Sequence, residues 1–572
     1  MSSEIICPYC FRKMQDSEVL FRSEKVNHGE CDLLPEEYDD IDDFAARYNG
    51  PDKERILSGY RDWEFFAEGP DSVYEDFWSN FNGTTEYNPA DDLLRVKAYR
   101  RKVINPMLPA HRKYLRAQAA DDYFIRDDQG MVTQIELAPE DENKRGVLCN
   151  RRVCRYCHNP FPDGYGRHAV KFAAVIGITG AGKTVYLSQL LFKMANYVVK
   201  AGLSTNDRIA SGAQTFLEKN IIAAATPLPG STPVERLQQP LFYEMTRNAG
   251  EHGRITETFV MYDVAGEVFR DQNLITKFAP FVEHADGIIV LIDPMQFGVI
   301  SGVMNRGVIL DAPTTALNAI QNIISHGNKN EKCRTPLAVC ISKADTQMVQ
   351  QVLDTKLREM LLDDVHGDKD ANGFYLPVFN AREYNPILNE LYKFIQTHEI
   401  VLAQQMQTNY VNYAYFAFTA LGCDVGTFKK IRDDEYEKLK QQSADLGQLP
   451  PRQYVRENDN TYPDEIFERT SAGKLSTYQC PLGPVLPKRV EEPLLWLFHK
   501  LGYVGVNTPI DDPTQPKIPC PACGGNDTKE LPEDERELVT GRLFKKRLYV
   551  NRICRSCGHR WEHIPSEPNG RK

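Results

Sequence analysis

One short stretch of the sequence has the residue types of a phosphate-binding loop. It matches the pattern Gly-x-x-x-x-Gly-Lys-[Ser/Thr] through Gly177, Ile178, Thr179, Gly180, Ala181, Gly182, Lys183 and Thr184. Glycines let backbone N–H groups curl around an anion, and the helix that follows directs its positive end at the same phosphates. We expect Lys183 to reach the β- and γ-phosphates of a nucleotide and the Thr184 hydroxyl to ligate Mg²⁺.

A second segment offers groups for the metal and the terminal phosphate. Asp263 lies at the end of an apolar run and opens the pattern Asp-x-x-Gly, which Gly266 completes and Glu267 follows. At the tip of a strand, Asp263 can hold Mg²⁺ through water, and the Gly266 N–H can contact the γ-phosphate. The motif therefore extends the predicted phosphate site to the γ-phosphate and its metal.

Two later segments suit a guanine base. Lys343 and Asp345 form Ser-Lys-x-Asp after another apolar run. A carboxylate fits guanine because the N1–H and 2-amino groups are paired donors for one bidentate acceptor, and the Lys343 stem can lie along the base. Further on, Thr419 and Ala420 can present a backbone N–H to the guanine O6. Ligands of open α/β sheets bind at strand ends, so the order of these motifs favours one nucleotide site.

Apolar runs that could position the motifs precede each of them. The predicted strands cover residues 169–176, 258–262, 287–292, 336–341 and 414–418. A helix is predicted over residues 185–200, where leucines recur at helical spacing, and a closing helix over residues 489–501. Alternating strands and helices indicate a doubly wound, mostly parallel α/β sheet over residues 168–505. The polar residues 424–480 predict an irregular insertion within it.

The ordered motifs resemble the TRAFAC class of P-loop GTPases, which includes the Ras-like and translation-factor domains. The resemblance covers about residues 170–505. It implies a molecular switch that hydrolyses GTP and changes its affinity for partners between nucleotide states. The chain also carries Cys-x-x-Cys knuckles, such as Cys7 with Cys10 and Cys520 with Cys523. The fusion of such knuckles to these motifs resembles bacterial GTPases found in multi-gene conflict and defence systems.

The sequence departs from the class pattern at two positions. Ser342 replaces the usual Asn before Lys343, which removes a loop-stabilising side chain and leaves an ATPase as an alternative. Glu267 stands where the class has a water-orienting Gln, so we expect slow hydrolysis unless a partner supplies an arginine. A nucleotide-locked scaffold with little turnover is a further alternative. For the switch-I threonine we choose Thr232, with Thr226 as the alternative.

The cysteines predict two structural zinc sites. Eight of the fourteen cysteines form Cys-x-x-Cys pairs: Cys7 with Cys10, Cys154 with Cys157, Cys520 with Cys523, and Cys554 with Cys557. In a reducing compartment such pairs indicate metal rather than disulfides. The last two pairs are expected to form a closed four-thiolate site in a C-terminal zinc ribbon over residues 515–565. Isolated cysteines such as Cys333, Cys340 and Cys423 are interpreted as small core residues.

The first two pairs are separated by a long segment. Joining them predicts a discontinuous zinc ribbon, residues 1–22 plus 146–167, that encloses an inserted segment over residues 23–145. Cys31 or Cys149 is the competing choice for one ligand, and His158 is expected to be an exposed ring. The insert is aromatic-rich and acidic, with sixteen Asp/Glu and four Lys/Arg between residues 30 and 80. It is predicted to be mainly helical, with one helix over residues 95–115, and to dock protein partners.

Charge and hydropathy restrict the remaining possibilities. The net charge of −11 makes non-specific nucleic-acid binding by the whole chain unfavourable. A local exception is a basic stripe in the last ribbon, Arg542, Lys545, Lys546, Arg547, Arg552, Arg555 and Arg560, interleaved with Phe544, Tyr549 and Trp561. It could bind single-stranded nucleic acid. No apolar run spans a bilayer and no secretory signal is evident, which predicts a cytosolic protein. No protease, nuclease or glycosidase spacing is present.

Overall fold

In a computed structural model, the chain divides into two compact units, Met1–Ile510 and Asp511–Lys572. In the first unit the structure describes residues 4–82, 100–139, 145–178, 180–206, 222, 228–229, 240–248, 254–265, 268–269, 274, 279–303, 313–325, 331–445, 454–456 and 477–510. In the second unit it describes residues 511–514, 521–523, 528–530, 538–540, 547–549, 552–554 and 557–561. The four domain boundaries inferred from the sequence remain predictions.

A seven-stranded sheet forms the centre of the first unit. Its members are β9 (Val170–Gly177), β10 (Leu203–Asn206), β11 (Leu241–Asn248), β12 (Arg254–Ala265), β13 (Gly287–Ile292), β14 (Leu337–Ile341) and β16 (Tyr413–Ala417). The strand order is β10-β11-β12-β9-β13-β14-β16. The five strands from β12 to β16 are parallel, and β10 and β11 extend them as an antiparallel edge. The predicted mostly parallel α/β sheet is thus confirmed.

Burial explains why these segments form strands. Every residue of β13 and β14 is buried, as expected for strands covered on both faces. The helices between and after these strands are α5 (Lys183–Phe192), α6 (Met194–Val199), α7 (Gly298–Val303), α8 (Pro313–Ile324), α9 (Gln347–Val352), α10 (Thr355–Leu362), α11 (Ala381–His398), α12 (Ile400–Asn409) and α14 (Glu492–Lys500). The helix predicted over residues 185–200 is therefore two helices, α5 and α6, separated at Lys193.

The N-terminal region is built from small sheets and short helices. The strands are β1 (Glu4–Ile6), β2 (Lys13–Gln15), β3 (Leu20–Arg22), β4 (Val103–Ile104), β5 (Phe124–Arg126), β6 (Val132–Leu137), β7 (Val147–Cys149) and β8 (Arg152–Val153). The helices are α1 (Ile41–Arg47), α2 (Lys53–Phe66), α3 (Ser72–Asn82) and α4 (Pro109–Arg112). Strand β3 pairs with both β4 and β8, so the two chain segments that carry the first two cysteine pairs meet in one sheet.

Three expectations about the two inserted segments are corrected. The helix predicted over residues 95–115 is wrong where the structure describes it, because residues 103–104 form β4 and only residues 109–112 are helical. The inserted segment is helical in its first half, but its second half contains β5 and β6, which form a sheet with β7 just after the segment. The polar segment 424–480 has regular elements: β17 (Val425–Ile431), α13 (Asp433–Asp445), β18 (Tyr454–Arg456) and β19 (Thr477–Pro481).

Short strands also occur outside the central and N-terminal sheets in both units. Strand β15 (Val378–Phe379) pairs with β20 (Gly505–Val506) in the first unit. The second unit contains β21 (Thr528–Glu530), β22 (Leu538–Thr540), β23 (Arg547–Tyr549), β24 (Arg552–Cys554) and β25 (Arg560–Trp561). Within the part of the chain that the structure describes, no helix is both long and apolar enough to cross a membrane.

Candidate functional site

The phosphate-binding loop leaves the C-terminal end of β9 and enters α5. Gly180 (φ 77°) and Gly182 (φ 74°) adopt the left-handed conformation that glycine tolerates best. A Cβ at Gly177 would lie 2.7 Å from the Cβ of Lys183, so only glycine fits beside this lysine. The loop is closed by the Ala181 N–H, which donates to the Ile178 carbonyl at 2.8 Å. Its backbone therefore has the tight curvature that encloses a phosphate.

The strand that carries Asp263 lies directly beside the strand of the phosphate loop. In the parallel pairing of β12 with β9, Asp263 is opposite Val175 and Ala265 is opposite Gly177. Lys183 is buried, and α5 begins with Lys183 and Thr184. The structure thus places Asp263 on the strand next to the loop, at the same end of the sheet. Four predicted residues and one alternative lie outside the described residues: Thr179, Gly266, Glu267, Thr232 and Thr226.

The Ser-Lys-x-Asp loop begins where β14 ends and reaches back towards the phosphate loop. Lys343 adopts a left-handed conformation (φ 54°), and its ammonium donates to the Asp293 carboxylate at 2.9 Å. Its Cε would lie 3.9 Å from a Cβ placed on Gly182. The stem of Lys343 therefore runs between β14 and the phosphate loop, as expected for a side chain that covers a base.

Asp345 faces the loop that follows β16. The Gly422 N–H donates to the Asp345 carboxylate at 3.0 Å and to the Thr419 hydroxyl at 2.9 Å. We call residues 419–422 the base loop. Ala420, the residue chosen to meet the guanine O6, belongs to it. The structure therefore brings together Lys343, Asp345, Thr419 and Ala420, which lie on two separate loops of the sequence.

Ser342 has a structural role that the sequence alone did not indicate. It is buried, and both its N–H and its hydroxyl donate to the carbonyl of Ile292, at 2.9 and 3.1 Å. Ile292 is the last residue of β13, so the serine ties the loop to the neighbouring strand. The expectation that this position lacks a loop-stabilising side chain is wrong.

The four N-terminal cysteines form one cluster. The sulfur atoms of Cys7, Cys10, Cys154 and Cys157 all lie within 4.8 Å of one another. The Cys7–Cys157 and Cys10–Cys154 sulfur pairs are 3.7 Å apart. A tetrahedral ion with bonds of ~2.3 Å to sulfur has edges of about 3.8 Å, so the cluster fits Zn²⁺. Cys31 and Cys149, the competing choices, are not in it.

The protonation chemistry of the cluster also fits a cation. Burial raises the pKa of the Cys7 and Cys157 thiols, whereas hydrogen bonding with Cys154 lowers that of Cys10. Buried thiolates need a neutralising charge, which a bound Zn²⁺ would supply. Backbone N–H groups of Tyr9 and Tyr156 point at the sulfurs of Cys7 and Cys154, at 3.4 and 3.3 Å.

Both N-terminal knuckles turn through a residue other than glycine. Phe11 (φ 56°) and His158 (φ 53°) follow the second cysteine of their pairs and adopt the conformation that Gly558 (φ 72°) takes in the last ribbon. Such a conformation costs roughly 1–2 kcal/mol for a residue with a Cβ. The ring of His158 is 16% exposed and hydrogen bonds to Asp71 at 2.8 Å. The expectation of an exposed ring is therefore wrong.

The segment around Cys7 and Cys10, the first cysteine knuckle, packs on the central sheet. Phe11 contacts the ring of Tyr262 at a centroid distance of 5.4 Å and stacks on His284 at 5.5 Å. The Tyr262 hydroxyl donates to the Pro8 carbonyl at 2.8 Å, and this bond is buried. Because Tyr262 directly precedes Asp263, the first cysteine knuckle contacts the strand that carries the predicted metal ligand.

In the second unit the structure describes three of the four predicted ligands. The sulfurs of Cys523, Cys554 and Cys557 lie within 4.8 Å of one another, and Cys520 lies outside the described residues. The cluster is compatible with zinc. The neighbouring basic stripe is only partly accessible, because Arg552 is buried beside Thr528 whereas Arg560 is exposed.

Comparison with known proteins agrees with this architecture. Residues 171–376 match the protein-family model described as Double-GTPase 2. A curated protein of Mycolicibacterium smegmatis, a putative ESX-1 scaffolding and assembly protein named SaeC, is 24% identical over 208 residues. The match covers 34% of this chain and 51% of SaeC, so the chain spans about half the length of that relative.

Solved structures of GTP-binding proteins are also similar in part. The Ski7 GTPase-like domain of S. cerevisiae, bound to GDP and inorganic phosphate, is 14% identical over 44% of each chain, with a TM-score of 0.20. The signal recognition particle receptor SRb-GTP/SRX complex of Chaetomium thermophilum is 15% identical, over 44% of this chain and 94% of that chain, with a TM-score of 0.21. The phosphate loop, the mostly parallel sheet and the similarity of residues 171–376 to the Double-GTPase 2 model together support a P-loop GTPase.

Proposed function

We propose that the chain is a Mg²⁺-dependent switch that binds GTP, hydrolyses it slowly and changes its affinity for protein partners between nucleotide states. One observation carries the proposal. At one end of the central sheet, the phosphate loop after β9 lies beside a Lys343–Asp345 loop whose carboxylate is oriented by the base loop. The family match of residues 171–376 supports the same conclusion.

Each residue has a distinct part in this proposal. Lys183 and the backbone N–H groups of the phosphate loop hold the phosphates. Thr184 and Asp263 would hold Mg²⁺, which neutralises phosphate charge when bound. The Gly266 N–H and the Thr232 hydroxyl, or that of Thr226, sense the γ-phosphate.

Base selectivity is assigned to the Ser-Lys-x-Asp loop together with the base loop. Asp345 accepts the N1–H and 2-amino donors of guanine, Lys343 covers the base, and the Ala420 N–H meets O6. The ATPase alternative assumed that Ser342 leaves its loop loose. Because Ser342 anchors this loop to β13, guanine selectivity is favoured over that alternative.

The output of the switch is proposed to be protein docking. The acidic insert and the two zinc ribbons provide surfaces for partners, and the name of the mycobacterial relative, a putative scaffolding and assembly protein, supports this class of role. A nucleotide-locked scaffold is the second candidate, because Glu267 would place a carboxylate beside the triphosphate and slow hydrolysis. The defence-system setting and nucleic-acid binding by the last ribbon remain predictions from the sequence.

Single-turnover hydrolysis of GTP with Mg²⁺ tests the enzymatic part. We expect a slow but measurable rate that Lys183→Ala abolishes and that Lys393→Ala, at an exposed lysine, leaves unchanged. Glu267→Gln should raise the rate by about tenfold, equivalent to ~1.4 kcal/mol of barrier. Tight GTP binding with no hydrolysis in either wild type or Glu267→Gln would instead favour the scaffold. A wild-type rate as high as that of a partner-activated GTPase contradicts the assigned role of Glu267.

A further inference from the structure

The base loop is held in place by a segment far along the chain. Residues 486–488, which we call the brace, lie just before α14. The Thr419 N–H donates to the Lys488 carbonyl at 3.1 Å, and the Lys488 N–H donates back to the Thr419 carbonyl at 2.9 Å. The Leu486 N–H donates to the Leu421 carbonyl at 2.7 Å. Three backbone hydrogen bonds therefore fix the base loop to the brace.

The fit between these two segments is close at Gly422. This residue has φ +66°, and a Cβ on it would overlap the carbonyl oxygen of Leu486. The Gly422 N–H is also the group that donates to the Asp345 carboxylate. A displacement of the brace would consequently move the donor that orients the carboxylate.

The brace is itself anchored by Arg489. Arg489 has a left-handed backbone (φ 57°) and a side chain that is 1% exposed. Its Nε donates to Glu492 at 3.0 Å, its Nη2 also pairs with Glu492, and its Nη1 donates to Glu383 at 3.1 Å and to the Asp363 carbonyl at 3.4 Å. A planar guanidinium is suited to holding several acceptors in fixed directions.

The two carboxylates belong to separate helices, and one of them has further partners. Glu492 opens α14, whereas Glu383 lies in the first turn of α11 and accepts from the Asn380 side chain at 3.2 Å. Asn507 donates to the Asn380 side chain at 2.7 Å. Arg489 thus ties the brace to helices α14 and α11 and to the carbonyl of Asp363, which directly follows α10.

We propose that Arg489 is a positioning residue for guanine recognition: its buried contacts with Glu492 and Glu383 fix the brace, and the brace fixes Gly422 and hence the Asp345 carboxylate. This inference rests on the proposed function, because it assigns a support to the same base site. Arg489 lies outside the residues matched by the family model. A carboxylate that must accept two donors at once depends on its orientation more than a phosphate contact does.

The test compares the affinities of the full-length protein for GDP and ADP, both with Mg²⁺. Arg489→Lys keeps one positive charge but cannot hold two carboxylates in the same directions. We expect its GDP affinity to fall by about tenfold while its ADP affinity changes less than about twofold, so that the preference for guanine narrows about tenfold. Lys356→Met, which removes an exposed ion pair with Glu390 on neighbouring helices, is the matched control and should change neither affinity.

A second, more conservative variant keeps the test decisive if Arg489→Lys does not fold. Glu383→Gln keeps the size of the side chain and leaves Arg489 paired with Glu492. We expect it to narrow the preference for GDP over ADP by about threefold. If both folded variants keep the wild-type preference, or lose GDP and ADP affinity equally, the positioning role is overturned. If the wild type itself shows no preference for GDP, the proposed function fails and this inference fails with it.

Discussion

At the scale of single residues, hydrogen bonds to the end of β13 and to the residue after it hold the Ser-Lys-x-Asp loop. Ser342 reaches the end of β13 through two hydrogen bonds to one carbonyl. Lys343 pairs with Asp293, which follows β13. Two short local patterns, Gly-Lys-Thr and Ser-Lys-x-Asp, could predict Lys183 and Asp345 from the sequence. The parts played by Asp293 and Gly422 could not be predicted in this way, because they depend on which strands are neighbours in the sheet.

One residue-scale prediction concerns pH and the inserted segment. Burial and the charge of Lys102 lower the pKa of His111, whose Nδ1 accepts the Asn105 N–H at 3.0 Å. His111 therefore binds a proton near pH 6.5 in the unfolded chain, but only at a lower pH in the folded chain. Stability should be unaffected by His111 above about pH 6.5 and should fall as the pH drops below it.

The matched variant is His111→Asn, whose side chain can accept the same N–H without titrating. Chemical unfolding followed from pH 7.5 to 5.5 should show a steeper loss of stability in the wild type than in the variant. Equal slopes for the two proteins would mean that His111 does not resist protonation in the folded state.

At the scale of elements, strands were predicted more accurately than irregular regions. The segments predicted as strands are apolar runs that overlap the five parallel strands, and burial on both faces requires that pattern. The region around residues 100–115 has helical spacing, but Pro106 and Pro109 interrupt it, and Val103 and Ile104 pair with β3 instead. The predicted helix failed because a pairing partner about eighty residues earlier in the chain outweighed local periodicity.

The contact between the first cysteine knuckle and β12 gives an element-scale prediction. Tyr262→Phe removes the hydroxyl that donates to the buried Pro8 carbonyl, and we expect the free energy of unfolding to fall by about 1–3 kcal/mol. Tyr415→Phe is the matched control, because the Tyr415 hydroxyl is buried without a hydrogen-bond partner among the described residues. Its stability should stay the same or rise. A Tyr262→Phe protein as stable as Tyr415→Phe in urea unfolding would contradict a structural role for this bond.

At the scale of the whole molecule, the two cysteine clusters belong to different units. Cys7, Cys154 and Cys157 are part of the same hydrophobic core as β9 and β12, whereas Cys523, Cys554 and Cys557 lie in the second unit. Cysteine spacing could predict the pairs. It could not reveal that the first cluster shares a core with the nucleotide-binding sheet, since that contact depends on Phe11 and Tyr262.

Substitution of one cysteine in each cluster should therefore have unequal effects. We expect Cys10→Ser to lose zinc from the first site and to lower both the melting temperature of the GTPase domain and its GDP affinity. Cys557→Ser should lose zinc from the second site and leave both quantities unchanged. Zinc content by atomic absorption, together with calorimetry, distinguishes these outcomes. Equal destabilisation by the two variants would contradict the division into units.

The central claim, that the strand-end site recognises guanine, is tested most directly by equilibrium binding of fluorescent GDP with Mg²⁺. The competitors are GTP, ATP and XDP, and the proteins are wild type and Asp345→Asn. We predict that GTP competes at least about 100-fold better than ATP for the wild type. Asp345→Asn should lose GDP affinity and gain affinity for XDP, because an amide can donate to the xanthine 2-carbonyl. If ATP competes as well as GTP and Asp345→Asn changes no affinity, the assignment of guanine recognition to Asp345 and the base loop is wrong.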